Sequence, residues 1–179
     1  MLFADCREYT RLTQELGIEK VAPVTAEFFR TASRIIIEHD GIVDRLLGDA
    51  SMAFFNVPIK HDDHVARAVN AAFAIQEGVN RINGTLEKEF AFQVGIGIAT
   101  GTALATNMGS TNCNDYTLVG DAINIASRLQ GEAAPGEILL TQDAYDVVRA
   151  VFPVNERREY QLKGIAQPVV AYAVKREDR

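Results

Sequence analysis

Two carboxylates stand where extended segments end. Asp5 closes the apolar run Met1–Ala4, and Asp49 follows Gly48 between the β-like runs Ile42–Leu47 and Ser51–Val57. Both would project from strand ends, and two acids so placed are the smallest clamp for a hard cation such as Mg²⁺. Further along, Asn124 and Arg128 are one helical turn apart and share a face, one residue off the apolar Ile125 and Leu129 line. That face presents a pair of donors. Taken singly, each residue has a plainer explanation: Asp49 as a turn former, Asp5 as a strand terminator, Asn124 as a solvated filler and Arg128 as a surface cation.

The elements that would carry these residues are legible from periodicity. Thr13–His39 repeats apolar residues at three- and four-residue steps (Val21, Val24, Phe28, Phe29, Ala32, Ile35, Ile36), which predicts one amphipathic helix ended by Gly41. Gly48-Asp49 between two β-like runs predicts a hairpin. A second long helix runs from Val65 to Ile82, and Asn83-Gly84 breaks it. Phe90–Thr100 and Thr102–Asn107 read as a further pair of strands, followed by the polar loop Ser110–Asp115 and a helix from Gly120-Asp121 through Leu129. Glu137–Thr141, Phe152–Tyr160 and Val169–Val174 add short strands, with a helix over Asp143–Val151. Hairpins between long helices predict an α+β fold: a largely antiparallel sheet, helices on one side, and room for a ferredoxin-like crossover.

Composition narrows the function classes. With 179 residues and 47% hydrophobic side chains the chain can form one core, burying roughly 70% of its unfolded surface. No linker, repeat or low-complexity tract divides it, so residues 1–179 read as a single domain. A net charge of −6 without a basic cluster argues against a nucleic-acid partner. Cys6 and Cys113 form no CxxC pair, and the N-terminus lacks a basic signal-peptide region, so the expected location is cytoplasmic. The uncharged stretch Phe90–Asn114 carries GxxxG from Gly97 to Gly101, but its Gly, Thr, Asn and Gln content argues against a membrane helix. His61-Asp62-Asp63-His64 resembles a metal cluster, yet its place at a helix start reads as capping. Gly95-x-Gly97 is a weak dinucleotide signal, because a strand and not a helix follows it.

Read together, three segments are more specific than any one residue. They are Phe3-Ala-Asp5-Cys-Arg-Glu-Tyr9-Thr10, Arg45-Leu-Leu-Gly48-Asp49-Ala-Ser-Met52-Ala53-Phe54-Phe55, and Asp115-Tyr116-Thr117-Leu-Val-Gly120-Asp121-Ala-Ile-Asn124-Ile-Ala-Ser-Arg128-Leu129. In this order they resemble the class III nucleotidyl cyclase catalytic domain. The resemblance extends to Asp63-His64 with Arg67-Ala68-Val69, Gly95-Ile-Gly97-Ile-Ala-Thr-Gly101, Pro135-Gly136-Glu137-Ile138 and Leu162-Lys163-Gly164.

The resemblance implies a homodimer that converts a nucleoside triphosphate to its 3′,5′-cyclic monophosphate and pyrophosphate, with two sites at the subunit interface. Asp5, Asp49 and the backbone carbonyl of Cys6 would hold two Mg²⁺ or Mn²⁺ ions per site. Backbone N–H groups around Tyr9 and Thr10 would meet the phosphates at a helix start. Arg128 would stabilise charge on the α-phosphate, Asn124 would orient the ribose, and Lys163 would meet the terminal phosphates. A sensor or regulatory domain joined to the full-length protein is a further implication.

Arg45 and Thr117 occupy the two base-reading positions of the family pattern. Adenine presents an acceptor at N1 and a donor at its 6-amino group, whereas the guanine edge carries N1–H and 2-amino donors that want an acceptor. Adenylate-forming relatives place Lys where this chain has Arg45, and guanylate-forming relatives place Glu there. Arg45 keeps the donor, so ATP is the expected substrate and GTP the nearer alternative. Gly95 departs from relatives that carry a phosphate-facing Arg there, and Thr106 from those with Gly. Thr117 resembles the subgroup stimulated by bicarbonate. The rival of another class is a cyclase-like domain that only dimerises or transmits a signal.

Overall fold

The computed structural model describes residues 1–107 and 116–175. Strand β1 (Leu2–Cys6) leads into helix α1 (Tyr9–Leu16), helix α2 (Ile18–Glu38) and the hairpin of β2 (Gly41–Leu47) and β3 (Ala50–Phe55). Helix α3 (His64–Asn83), a 3-10 turn at Lys88–Phe90 and strand β4 (Val94–Ile98) follow, then β5 (Leu104–Asn107) and β6 (Tyr116–Val119). Helix α4 (Asp121–Glu132), β7 (Ile138–Thr141), α5 (Gln142–Val148), β8 (Val154–Tyr160) and β9 (Val169–Val174) complete the chain. The sheet order is β2-β3-β1-β4-β7-β9-β8, and β5 pairs with β6 in a separate ribbon. Its first four strands have the ferredoxin-like order, and all pairs are antiparallel except β4 with β7.

Helices cover both faces, which corrects the one-sided arrangement expected from the sequence. Leu2, Ala4 and Cys6 of β1 and Val94, Ile96 and Ile98 of β4 pack under α1, α2, α3 and α5. The alternate positions face the other way. Phe3, Met52 and Phe54 meet Ala122 and Ala126 of α4, while Leu139, Ala171 and Ala173 meet Leu129. The cue lies in β4, where glycine alternates with aliphatic residues: a Cβ on Gly97 would run into the backbone of Ala126 and Gln130. Only glycine lets α4 lie this close to the sheet.

Three further expectations are corrected. The single helix over Thr13–His39 is two helices, α1 and α2, because Gly17 adopts φ 85 between them. Phe90–Asn107 is not a strand pair: β4 joins the main sheet, whereas β5 pairs with β6, a strand the sequence reading had not assigned. At the start of α3, Asp63 makes no side-chain cap, and its carboxylate instead accepts from Arg67 Nε at 2.7 Å. Cys113 and the loop Ser110–Asp115 lie outside the described residues, while Cys6 is buried and unpaired. Among the described residues no helix is long and apolar enough to cross a membrane.

Candidate active site

Alternation along β1 sends Leu2, Ala4 and Cys6 into the main core and leaves Asp5 on the face that carries α4. Asp5 pairs in register with Ala50 of β3 on one side and Gly95 of β4 on the other. Asp49 sits in the β2–β3 turn, and its carbonyl accepts from Cys6 N–H at 3.2 Å, so the turn is tied to the end of β1. The two acids are thus neighbours at one sheet end. Burial, and then the Asp49 carboxylate, pushes the Asp5 carboxyl up to about 6, against the opposing pull of Arg7. Burial likewise pushes the Cys6 thiol up, so at neutral pH its side chain brings no charge and only its backbone is available to a ligand.

Two residues that the sequence reading did not assign complete this end. Arg7 Nη1 donates to Asp5 Oδ2 at 3.3 Å, and Gln130 Nε2 donates to the same oxygen at 3.0 Å. A second Arg7 nitrogen donates to the Gln130 carbonyl, while the buried Arg7 Nε has no partner. Gly95 leaves the room: a Cβ there would collide with the Arg7 guanidinium. Arg7 thus lies where a side chain from residue 95 would go. The available signal was a glycine facing a strand-end arginine, with a glutamine two residues beyond Arg128.

The donor set fits the expected cations. Two carboxylates and a strand-end carbonyl are hard oxygen ligands, and the burial and the Asp49 charge that together push the Asp5 carboxyl up are what a divalent cation would offset. Among the described residues no cluster of three or more His, Cys, Asp or Glu offers a competing site.

The other expected residues occupy separate places. Tyr9 opens α1, so N–H groups of its first turn have no helical acceptor; the preceding Glu8 is the N-cap at φ 62. Arg45 and Thr117 come together through Asp44, whose Oδ2 lies 3.2 Å from Thr117 Oγ1 and 3.4 Å from Arg45 Nε. Asn124 and Arg128 are exposed on α4 and make no hydrogen bond or ion pair to other described residues. Lys163 is exposed in the turn between β8 and β9, held by the buried Leu162 beside it and by the Ile165 N–H to Leu162 carbonyl bond of 3.1 Å. Among the described residues, no hydrogen bond or ion pair joins Asn124, Arg128 or Lys163 to Asp5 or Asp49.

Comparison with known proteins gives the family and the fold. The model of the adenylate and guanylate cyclase catalytic domain matches residues 1–176. Adenylate cyclase 1 of Rhizobium meliloti (strain 1021) is 30% identical over 132 residues, which are 73% of this chain and 20% of that protein. The human guanylate cyclase soluble subunit beta-2 is 27% identical over 165 residues, 92% of this chain and 26% of that one. Thus the chain spans a minor part of these curated relatives. Crystal structures of the guanylyl cyclase Cya2 and of the adenylyl cyclase CyaB from P. aeruginosa both superpose with TM-score 0.89. They are 28% and 27% identical, cover 97% and 99% of this chain, and are themselves covered over 89% and 93%. From its match over nearly the whole sequence, the chain belongs to the adenylate and guanylate cyclase catalytic domain family.

Proposed function

We propose that the chain converts ATP to 3′,5′-cyclic AMP and pyrophosphate at a site shared between two copies of itself. The observation that carries the reading is the Asp5–Asp49 pair at adjoining strand ends, with Asp5 raised to about 6 by burial and its neighbour. In the reaction the ribose 3′-oxygen attacks the α-phosphorus in line, its proton passes to solvent water, and the bond to the oxygen that bridges to the β-phosphate breaks to release pyrophosphate. Asp5, Asp49 and the Cys6 carbonyl would hold two Mg²⁺ or Mn²⁺ ions. When bound, these ions neutralise the triphosphate and acidify the 3′-hydroxyl.

The remaining roles belong to the protein. First-turn N–H groups of α1 around Tyr9 and Thr10 meet phosphate oxygens. Arg128 stabilises the charge that grows on the α-phosphate, and Asn124 orients the ribose. Lys163 places a point charge on the terminal phosphates. Arg45 donates to adenine N1, and Thr117 accepts from its 6-amino group.

A second copy supplies what one chain keeps apart. Asn124 and Arg128 lack partners among the described residues, and Ile42, Leu46 and Leu47 of β2 are exposed together with Leu104 and Val119 of the β5–β6 ribbon. Such apolar exposure supports coverage by another subunit. The length of the relatives supports a regulatory domain in the full-length protein, and a cytoplasmic location suits a nucleotide substrate. GTP is the second reading, favoured by the equal likeness to Cya2 and CyaB.

The test is product analysis by chromatography after incubating concentrated protein with ATP or GTP and Mg²⁺ or Mn²⁺, beside Asp49→Ala. Cyclic AMP that disappears in the variant is the expected result. Cyclic GMP alone would overturn the base assignment, and no product from demonstrated dimers would favour a signalling domain without turnover.

A further inference from the structure

Asp44 is a carboxylate inside the apolar run Ile42–Leu47, and no step above uses it. The β2–β3 register shifts between Val43 and Arg45, so Asp44 is the extra residue of a bulge. A bulge re-aims a side chain that strict alternation would have placed elsewhere. Here it points Asp44 inward, with only 6% of its side chain exposed, and brings Oδ2 to the Thr117 hydroxyl on β6 and to Arg45 Nε. One carboxylate oxygen therefore anchors both candidate base contacts.

The polarity of that contact has a consequence. A carboxylate can only accept, so the Thr117 hydroxyl must spend its single hydrogen on Asp44. Its oxygen keeps only lone pairs for any other partner. We propose that Asp44 is a positioning residue for base selection, which fixes the Thr117 hydroxyl as an acceptor and so favours the 6-amino group of adenine over the 6-oxo group of guanine. The proposal rests on the reading of Arg45 and Thr117 as base contacts. It explains how a threonine, able by itself to donate or accept, discriminates between the two purines: an acceptor facing the guanine oxygen leaves both groups unpaired.

The experiment measures kcat/KM for ATP and for GTP in the unaltered chain and in Asp44→Asn, Thr117→Val and the double variant. Asp44→Asn keeps the shape but lets residue 44 donate, which frees the Thr117 hydrogen to point at the base. The ATP:GTP ratio is expected to fall about tenfold in each single variant, with no further fall in the double variant. Asp44→Ser supplies the same comparison should Asp44→Asn fail to fold. An unchanged ratio in the Asp44 variants while Thr117→Val lowers it, or an equal loss for both nucleotides, would overturn the proposal. Preference for GTP in the unaltered chain would instead strike the base reading beneath it, a failure visible before any variant is made.

Discussion

The two ends of the candidate site are built in opposite ways. At the strand end, Asp5 is held by Arg7 and Gln130, Asp49 is tied to Cys6, and each group is positioned by contacts within the same chain. On α4, Asn124 and Arg128 stand exposed and have no partner among the described residues. The acidic end is held by contacts within the chain, whereas the proposed donors on α4 meet none of the described residues. Such a division suits a site that closes between two subunits, because each copy offers one finished half of each kind.

Several substitutions would break or sharpen this contrast. Asp49→Ala should have the largest effect, lowering turnover by more than about 10³-fold, since a lost cation ligand removes several kcal/mol of charge stabilisation. The melting temperature in chelator should hold or rise, because Asp5 loses the neighbour that repels it. Arg128→Ala should lower kcat by about 10²-fold with the melting temperature unchanged, as expected of an exposed side chain that acts only on the transition state. Equal losses in kcat and stability would place Arg128 in the fold instead.

Gly97→Ala tests the support of the donor half. Its Cβ would meet the α4 backbone, so a loss of about 1–3 kcal/mol in stability is expected by denaturant titration, together with reduced turnover. The smallest effect lies at the acidic half. Glu8 is the α1 N-cap with φ 62, a conformation that disfavours a side chain, and Glu8→Gly should raise stability by about 1 kcal/mol, a shift of about 2–4 °C in melting temperature. A lower melting temperature would show that the Glu8 to Arg11 ion pair outweighs the backbone gain.

Much of this was legible in the residues. The Gly48-Asp49 hairpin, the long helix over Val65–Ile82 and the strand Val169–Val174 follow from local pattern, and the structure has them with the helix one residue longer at each end. Gly17 was passed over because the apolar steps that mark the helix, Val21 to Ile36, all lie after it, although its backbone turns the chain between two helices. Strand β6 was hidden because its pairing with β5 is a contact between segments, and four residues carry too little periodicity to reveal it. The same limit applies to the site. Asp5, Asp49, Asn124 and Arg128 could be named from type and order, whereas the contacts of Gln130 with Asp5 and Arg7, and of Asp44 with Thr117, join residues far apart in sequence.

The most direct measurement mixes Asp49→Ala chains with Arg128→Ala chains and follows cyclic nucleotide formation. Each variant alone should be nearly inactive, yet half of all dimers in an equal mixture pair one chain of each kind. One of their two sites then combines an intact acidic half with an intact donor half, so activity should return to about a quarter of the unaltered level. No recovery, in a mixture whose subunits are shown to exchange, would contradict a site shared between chains.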